Sequence, residues 1–121
     1  MEPLSDDLHT NYDRLIIESL DLGCLWGLCD EQGQWALVES STDATIGVMP
    51  FWSHAELATP LCCGEWSIYK PVAIELEEFL DDWLPGMHTD VLMVGANWNA
   101  ELEGREIEPL DLLEDFDTEM Q

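Results

Sequence analysis

Apolar positions recur at Leu76, Phe79, Leu80, Trp83 and Leu84, the i, i+3, i+4, i+7, i+8 spacing of a helix that lays one stripe on a core. Pro85-Gly86 follows as a stop, so the pattern predicts a helix over 75–84. The same period runs through Leu8, Tyr12, Leu15, Ile16 and Leu20 and predicts a helix over 5–22, closed by Gly23. Between these helices the period shortens. Residues 24–30 and 34–39 read as two strands joined by a short turn containing Gly33, and residues 46–51 as a third, which Pro50 places at an edge or a strand end. Ser53 and Glu56 have capping-box spacing for a short helix that Pro60 must end or kink. Residues 64–71 read as a loop carrying Trp66 and Tyr69, and residues 72–74 as a fourth strand or an extended lead into the 75–84 helix.

Residues 90–96 form the most apolar run, of strand length and bounded by turn residues, which predicts a central strand. Asn97-Trp98-Asn99 and Gly104 mark a turn. Pro109 suits the first turn of a last helix whose buried stripe is Leu112, Leu113 and Phe116. No repeat or linker interrupts residues 1–121. The expected architecture is one α+β domain, with a mixed or antiparallel sheet of four to five strands and three to four helices.

The polar side of this pattern is almost entirely acidic. Twenty-seven Asp and Glu residues stand against Arg14, Lys70 and Arg105, a formal net charge of −24. The 46% apolar content, rich in Trp, Leu and Ile, separates the chain from disordered acidic tails. Such a charge repels nucleic acid and anionic membranes and attracts basic proteins, while halophilic adaptation and plain solubility produce the same composition. Cys24, Cys29, Cys62 and Cys63 occur behind an N-terminus with neither a basic nor an apolar targeting region, and no apolar run is long enough to span a bilayer. The expectation is a reduced, cytoplasmic protein with its thiols mostly packed as small apolar groups.

Several blocks occur in a specific order: Trp26-Gly-Leu with Trp35-Ala-Leu, Met49-Pro-Phe-Trp-Ser53, Glu65-Trp66, Tyr69, Pro71 and Ile74. They continue through Phe79, Trp83-Leu-Pro-Gly-Met87, Val94-Gly95, Asn97-Trp98, Leu102, Gly104 and Glu108-Pro109. In this combination the chain resembles the bacterial family catalogued as domain of unknown function 2750, over most of residues 10–115. The resemblance implies no activity, cofactor or catalytic residue. Residues 54–63, with Pro60 and the paired cysteines, depart most from the family pattern.

Candidate chemistry is sparse. His54 with Cys62 and Cys63 is the one grouping that suggests a thiol or metal centre. Adjacent cysteines lack the gap of common zinc pairs, and no second pair stands at ligand spacing, so no metal or other cofactor is expected. Asp111-Leu-Leu-Glu-Asp-Phe-Asp117 breaks the calcium-loop pattern with apolar residues. No phosphate loop, nucleophile elbow or His-Glu-x-x-His motif occurs, and no catalytic residue is assigned.

The acidic faces themselves remain. Glu75, Glu77, Glu78, Asp81 and Asp82 set about one carboxylate per 3 Å along a helix about 15 Å long, close to the ~3.4 Å phosphate spacing of a DNA strand. The expectation is a non-enzymatic antagonist that covers a basic surface, in the manner of an immunity protein or a DNA mimic. Its contact residues are those five together with Glu101, Glu103, Glu106, Glu108, Asp111, Glu114 and Asp115. Trp66, Tyr69 and Trp98 fall in loops and are candidate anchors at the interface. Two alternatives stay open: a charge that serves only solubility, and a small thiol or metal enzyme around His54, Cys62 and Cys63.

Overall fold

The computed structural model describes residues 4–99 and 101–120. Helix α1 (Leu8–Leu22) begins where Asp7 accepts the His9 and Thr10 amides and ends at Gly23, whose φ of 75° closes the last turn. Strand β1 (Cys24–Cys29) leads into a turn at Asp30. The Asp30 carboxylate accepts the Gln32 and Gln34 amides, each at 2.9 Å, and Trp35 and Ala36 come back beside Cys29 and Leu28. The expected second strand then changes partner. Only β2 (Val38–Glu39) is extended, and it pairs with β3 (Gly47–Phe51) rather than with β1.

After β3 come the short helix α2 (Ala55–Ala58), two single 3-10 turns, and strand β4 (Lys70–Glu75), which is the real antiparallel partner of β1. Helix α3 spans 76–89. Strand β5 (Met93–Ala96) is the expected central strand, lying parallel to β3 and antiparallel to β6 (Arg105–Ile107), a strand that residues 97–104 gave no pattern for. Helix α4 (Pro109–Met120) has Pro109 at its first position and buries Leu112 and Phe116. The architecture is α+β, with four helices among the described residues, a mixed sheet in the order β2-β3-β5-β6 and a two-stranded sheet β1-β4. A reciprocal backbone pair between Trp26 and Trp52, at 2.7 and 2.8 Å, ties the two sheets together.

Both faces of the mixed sheet are covered, which is why the strand at 93–96 is apolar throughout. On one face Phe51, Val94 and Ala96 meet Leu15 and Ile16 of α1, Phe79, Leu84 and Met87 of α3, and Leu112 and Phe116 of α4. On the other, Val48 and Trp52 meet Leu57 and Ala58 of α2 with Leu61 and Trp98. Phe51 stacks edge-on against Phe79 at 4.9 Å, and Trp83 sets its edge on Trp35 at 4.8 Å, so these tryptophans are framework residues.

Pro85 does not end α3. Residues Phe79–Trp83 form a π turn, in which the Leu84 amide reaches back five residues to the Phe79 carbonyl, and the helix runs through Pro85 to Thr89. Proline lacks an amide and its ring clashes with the carbonyl four residues back; a widened turn just ahead of it removes that conflict. The wider turn also shifts the buried stripe. Phe79 and Leu84, five residues apart, are fully buried, while Leu80 and Trp83 are half-buried.

Gly95 lies beneath the indole of Trp98. A β-carbon there would stand 2.5 Å from Cε2 of that ring, in a site where Trp98 is buried and donates its N–H to the Arg105 carbonyl at 3.2 Å. Gly95→Ala is expected to lower the unfolding free energy by about 1–3 kcal/mol through this overpacking, read as a shifted urea midpoint.

Candidate functional site

Glu75 at the end of β4 and Glu77, Glu78, Asp81 and Asp82 on the first turns of α3 face solvent, and none of the five side chains is hydrogen-bonded or ion-paired to a described residue. Leu76, Phe79 and Leu84 are held in the core, so the outer side of the helix has no alternative orientation. The carboxylates repel one another at helical-neighbour spacing, at about 0.2–0.5 kcal/mol per pair, with no cation in the segment to relieve them. The 84–89 end of α3 packs against α4, and Asp111 and Glu114 are exposed on α4, with exposed Glu108 just ahead of it.

The remaining expected contacts divide. Glu101 and Glu103 are exposed in the loop before β6, where the neighbouring Glu103 carboxylate, by hydrogen bond and by charge, raises the pKa of Glu101 above the ordinary range. Glu106 is not a free surface charge. Its carboxylate accepts the Ser40 hydroxyl at 2.5 Å, the Ser41 amide at 2.9 Å and the Ser41 hydroxyl at 2.8 Å, pinning the loop after β2 to β6. Asp115 accepts the Tyr12 hydroxyl, and the Arg105 guanidinium lies 4.3 Å from the centre of the same ring. Burial first, and the Asp115 carboxylate second, push the Tyr12 phenol far above its usual range.

Trp98 is 3% exposed and cannot serve as a surface anchor. Its loop folds back over Gly95 instead of projecting outward, which the Asn-Trp-Asn turn pattern does not reveal. Trp66 and Tyr69 are half-buried and packed edge to face at 5.6 Å against the α2 side of the core, leaving only their rims at the surface.

Burial alone would raise the Glu106 pKa, but its three donors outweigh burial and hold it below the ordinary carboxylate value. A depressed folded-state pKa means stability that is complete above the unfolded value of about 4.5 and is lost as pH falls through the folded one. In urea titrations at pH 7 and pH 3.5, Glu106→Gln is expected to lose less stability on acidification than the parent protein.

A second cluster, interior and polar, joins the ends of the parallel strands β3 and β5. Asn97 is fully buried with φ 48°; its amide nitrogen donates to the Asn11 carbonyl at 3.0 Å and to Ser53 Oγ at 3.1 Å, and its Oδ1 accepts the Ser53 amide at 2.9 Å. Ser53 Oγ donates to Glu18 Oε1 at 2.6 Å, and Glu18 also faces Arg14 at 3.2 Å and His54 at 3.4 Å. Burial opposes ionisation of Glu18, yet the Ser53 and Arg14 hydrogen bonds prevail and lower its pKa. The Ser53 hydroxyl is thus committed to Glu18 rather than to a capping box, and His54 takes the α2 cap position without a side-chain bond. Ser53 has no exposed surface, so this cluster acts as a latch between strand ends rather than as a nucleophile.

The His54 ring is engaged by Glu18 at 3.4 Å. Cys62 Sγ lies 3.8 Å from the Ala58 carbonyl and Cys63 Sγ 3.5 Å from the Pro60 carbonyl, and burial raises the Cys62 thiol, the reverse of what activates a thiolate. Among the described residues no group of three His, Cys, Asp or Glu side chains is arranged around a metal position, and no helix is long and apolar enough to cross a membrane.

The blocks that carry the family resemblance meet in this latch. Trp52 Nε1 donates to the Trp98 carbonyl at 2.8 Å, and Ser53 meets Asn97, so Pro50-Phe-Trp-Ser53 and Asn97-Trp98 form one structural unit. No curated protein matches the chain. The family model described as a protein of unknown function, DUF2750, matches residues 12–116. The chain belongs to the DUF2750 family.

Proposed function

We propose that the protein is a non-enzymatic, cytoplasmic antagonist that binds a basic protein partner through its acidic surface and occludes the partner's cationic face. The partner is a nuclease, another toxin or a nucleic-acid-binding protein, and the relation is that of an immunity protein or a DNA mimic. The observation that carries this reading is the outer face of α3 with the residue just ahead of it: Glu75, Glu77, Glu78, Asp81 and Asp82 are all exposed, and none of these side chains is bonded to another described residue. Carboxylates that tie the fold together are engaged, as Glu18, Glu106 and Asp115 are; these five side chains have no such partner and repel one another. Their use is intermolecular. Glu101, Glu103, Glu108, Asp111 and Glu114 extend the contact.

Capture on immobilised protein from its native source, at about 0.15 M salt, tests the proposal, since exposed charges further apart than about 8 Å are largely screened there. The expected result is a stoichiometric partner of strongly basic isoelectric point. Recovery of only neutral or acidic partners refutes it.

A further inference from the structure

Strand β4 is an edge. Among the described residues its one sheet neighbour is β1, with Trp26 opposite Ala73 and Leu28 opposite Pro71. The phase of that ladder follows from bonds on the other side of β1. The Trp26 amide donates to the Trp52 carbonyl at 2.7 Å, the Trp26 carbonyl accepts from Trp52 at 2.8 Å, and the Leu28 carbonyl accepts from Ala36 at 2.8 Å. The backbone groups of Trp26 and Leu28 therefore point away from β4. In an antiparallel pair both members of a non-bonded position point outward together, so those of Ala73 and Pro71 point away from β1. The Leu76 amide donates inward to the Gly23 carbonyl at 3.0 Å, which places the Glu75 amide outward as well.

The free edge thus offers the amide and carbonyl of Ala73, the amide of Glu75 and the carbonyl of Pro71, none of them bonded to another described residue; the Glu75 carbonyl, at the cap position of α3, serves the first turn of that helix. Ala73 and Glu75 are exposed. Lys70 and Pro71 guard the first half of the strand, as edge strands commonly are guarded, but the half from Ala73 onward is open and runs directly into the carboxylates of Glu75, Glu77 and Glu78.

We propose that this edge is where the basic partner docks: an extended segment of the partner, with Lys or Arg at alternate positions, adds to β4 as a further strand and sets its cations against the first turn of α3. The inference rests on the acidic-surface function proposed above and names how the partner is held. Main-chain pairing supplies affinity that does not depend on side chains, and the flanking carboxylates select a cationic strand. A second copy of this chain would bring another net charge of −24 to the same edge, so like-charge repulsion disfavours self-pairing and complementarity favours a basic occupant.

A synthetic peptide alternating Val with Lys and Arg serves as the probe, beside an equally charged version N-methylated at successive amides, which blocks both of its edges and cannot pair with a strand edge. In the free protein the Ala73 and Glu75 amides should exchange rapidly with solvent deuterium; the peptide should slow both, and the N-methylated version should bind at least tenfold more weakly. Ala73→Pro removes the outward amide without removing a bond to β1, and should weaken the unmodified peptide by a similar factor. Equal binding of both peptides, with no slowing of exchange, overturns the edge inference while leaving the acidic surface as the binding site. Peptide binding indifferent to charge reversal at Glu78, Asp81 and Asp82 removes both. Ala73 and Glu75 amides already protected in a dimeric free protein would show that a second copy covers the edge and would overturn the inference.

Discussion

Replacing Glu78, Asp81 and Asp82 together by lysine is expected to abolish the complex with the basic partner while leaving the domain folded. All three side chains are exposed and touch none of the core residues that fix α3. The reversal turns the pair of Glu77 with position 81 from repulsive to attractive, worth about 0.2–0.5 kcal/mol, while the pairs 78/81 and 78/82 stay like-charged, so thermal stability should be nearly unchanged. Binding responds strongly. Three attractions become three repulsions across the contact, and like charges set against each other cost several kcal/mol, which weakens association by at least a hundredfold. Titration calorimetry and a thermal melt on the same variant separate the two effects. Undiminished affinity would remove α3 from the interface.

Asn97→Ala is expected to destabilise the fold by about 3–5 kcal/mol. The substitution leaves the Ser53 amide without a partner in the interior, at about 1–3 kcal/mol, and removes the second hydrogen bond of the helical Asn11 carbonyl, at about 0.5–1.5 kcal/mol. It also replaces asparagine, which tolerates a left-handed backbone, by alanine at φ 48°, where that backbone costs roughly 1–2 kcal/mol. Asn97→Gly makes the separation: it loses the same hydrogen bonds but not the backbone preference, so its urea midpoint should lie above that of the alanine variant and below that of the parent protein. Folding energies for Asn97→Ala within 1 kcal/mol of the parent would show that the latch is not what joins β3 to β5. A loss of this size is a large part of the total stability of a domain this small.

Much of the architecture was legible because burial follows periodicity. The stripes of α1 and α4 and the uninterrupted apolar run of β5 each state which side faces a core, and Gly23 and Pro109 punctuate them as expected. Three features were not legible, for distinct physical reasons. The path of α3 through Pro85 depends on a π turn, and its buried pair Phe79 and Leu84 is spaced for that turn, not for an ordinary helix. Val38 and Glu39 pair with β3 because turn geometry, rather than composition, decides which strand a short segment joins. Strand β6 is three residues long, too short for any pattern.

The candidate surface was legible only in part. Carboxylates on the first turns of α3 had to face outward once Leu76 and Phe79 faced in. Glu106, Asp115 and Glu18 carry the same side-chain chemistry but are engaged by Ser40 and Ser41, Tyr12, and Ser53 with Arg14. Those partners lie far away in the sequence, except Arg14. With so many carboxylates, spacing does not distinguish a structural one from a free one. Ser53 and Asn97 stood in the blocks that carried the family resemblance, which was the one signal available for the latch.

The central claim is that free carboxylates on the outer face of α3 hold a basic partner. It is tested most directly by the affinity of the captured complex as a function of salt. Between about 0.05 and 0.5 M salt the dissociation constant should rise at least tenfold, mainly through a slower association rate, because exposed opposite charges are screened over distances of about 10 Å and less in that range. A dissociation constant that stays constant across the same range would contradict the account.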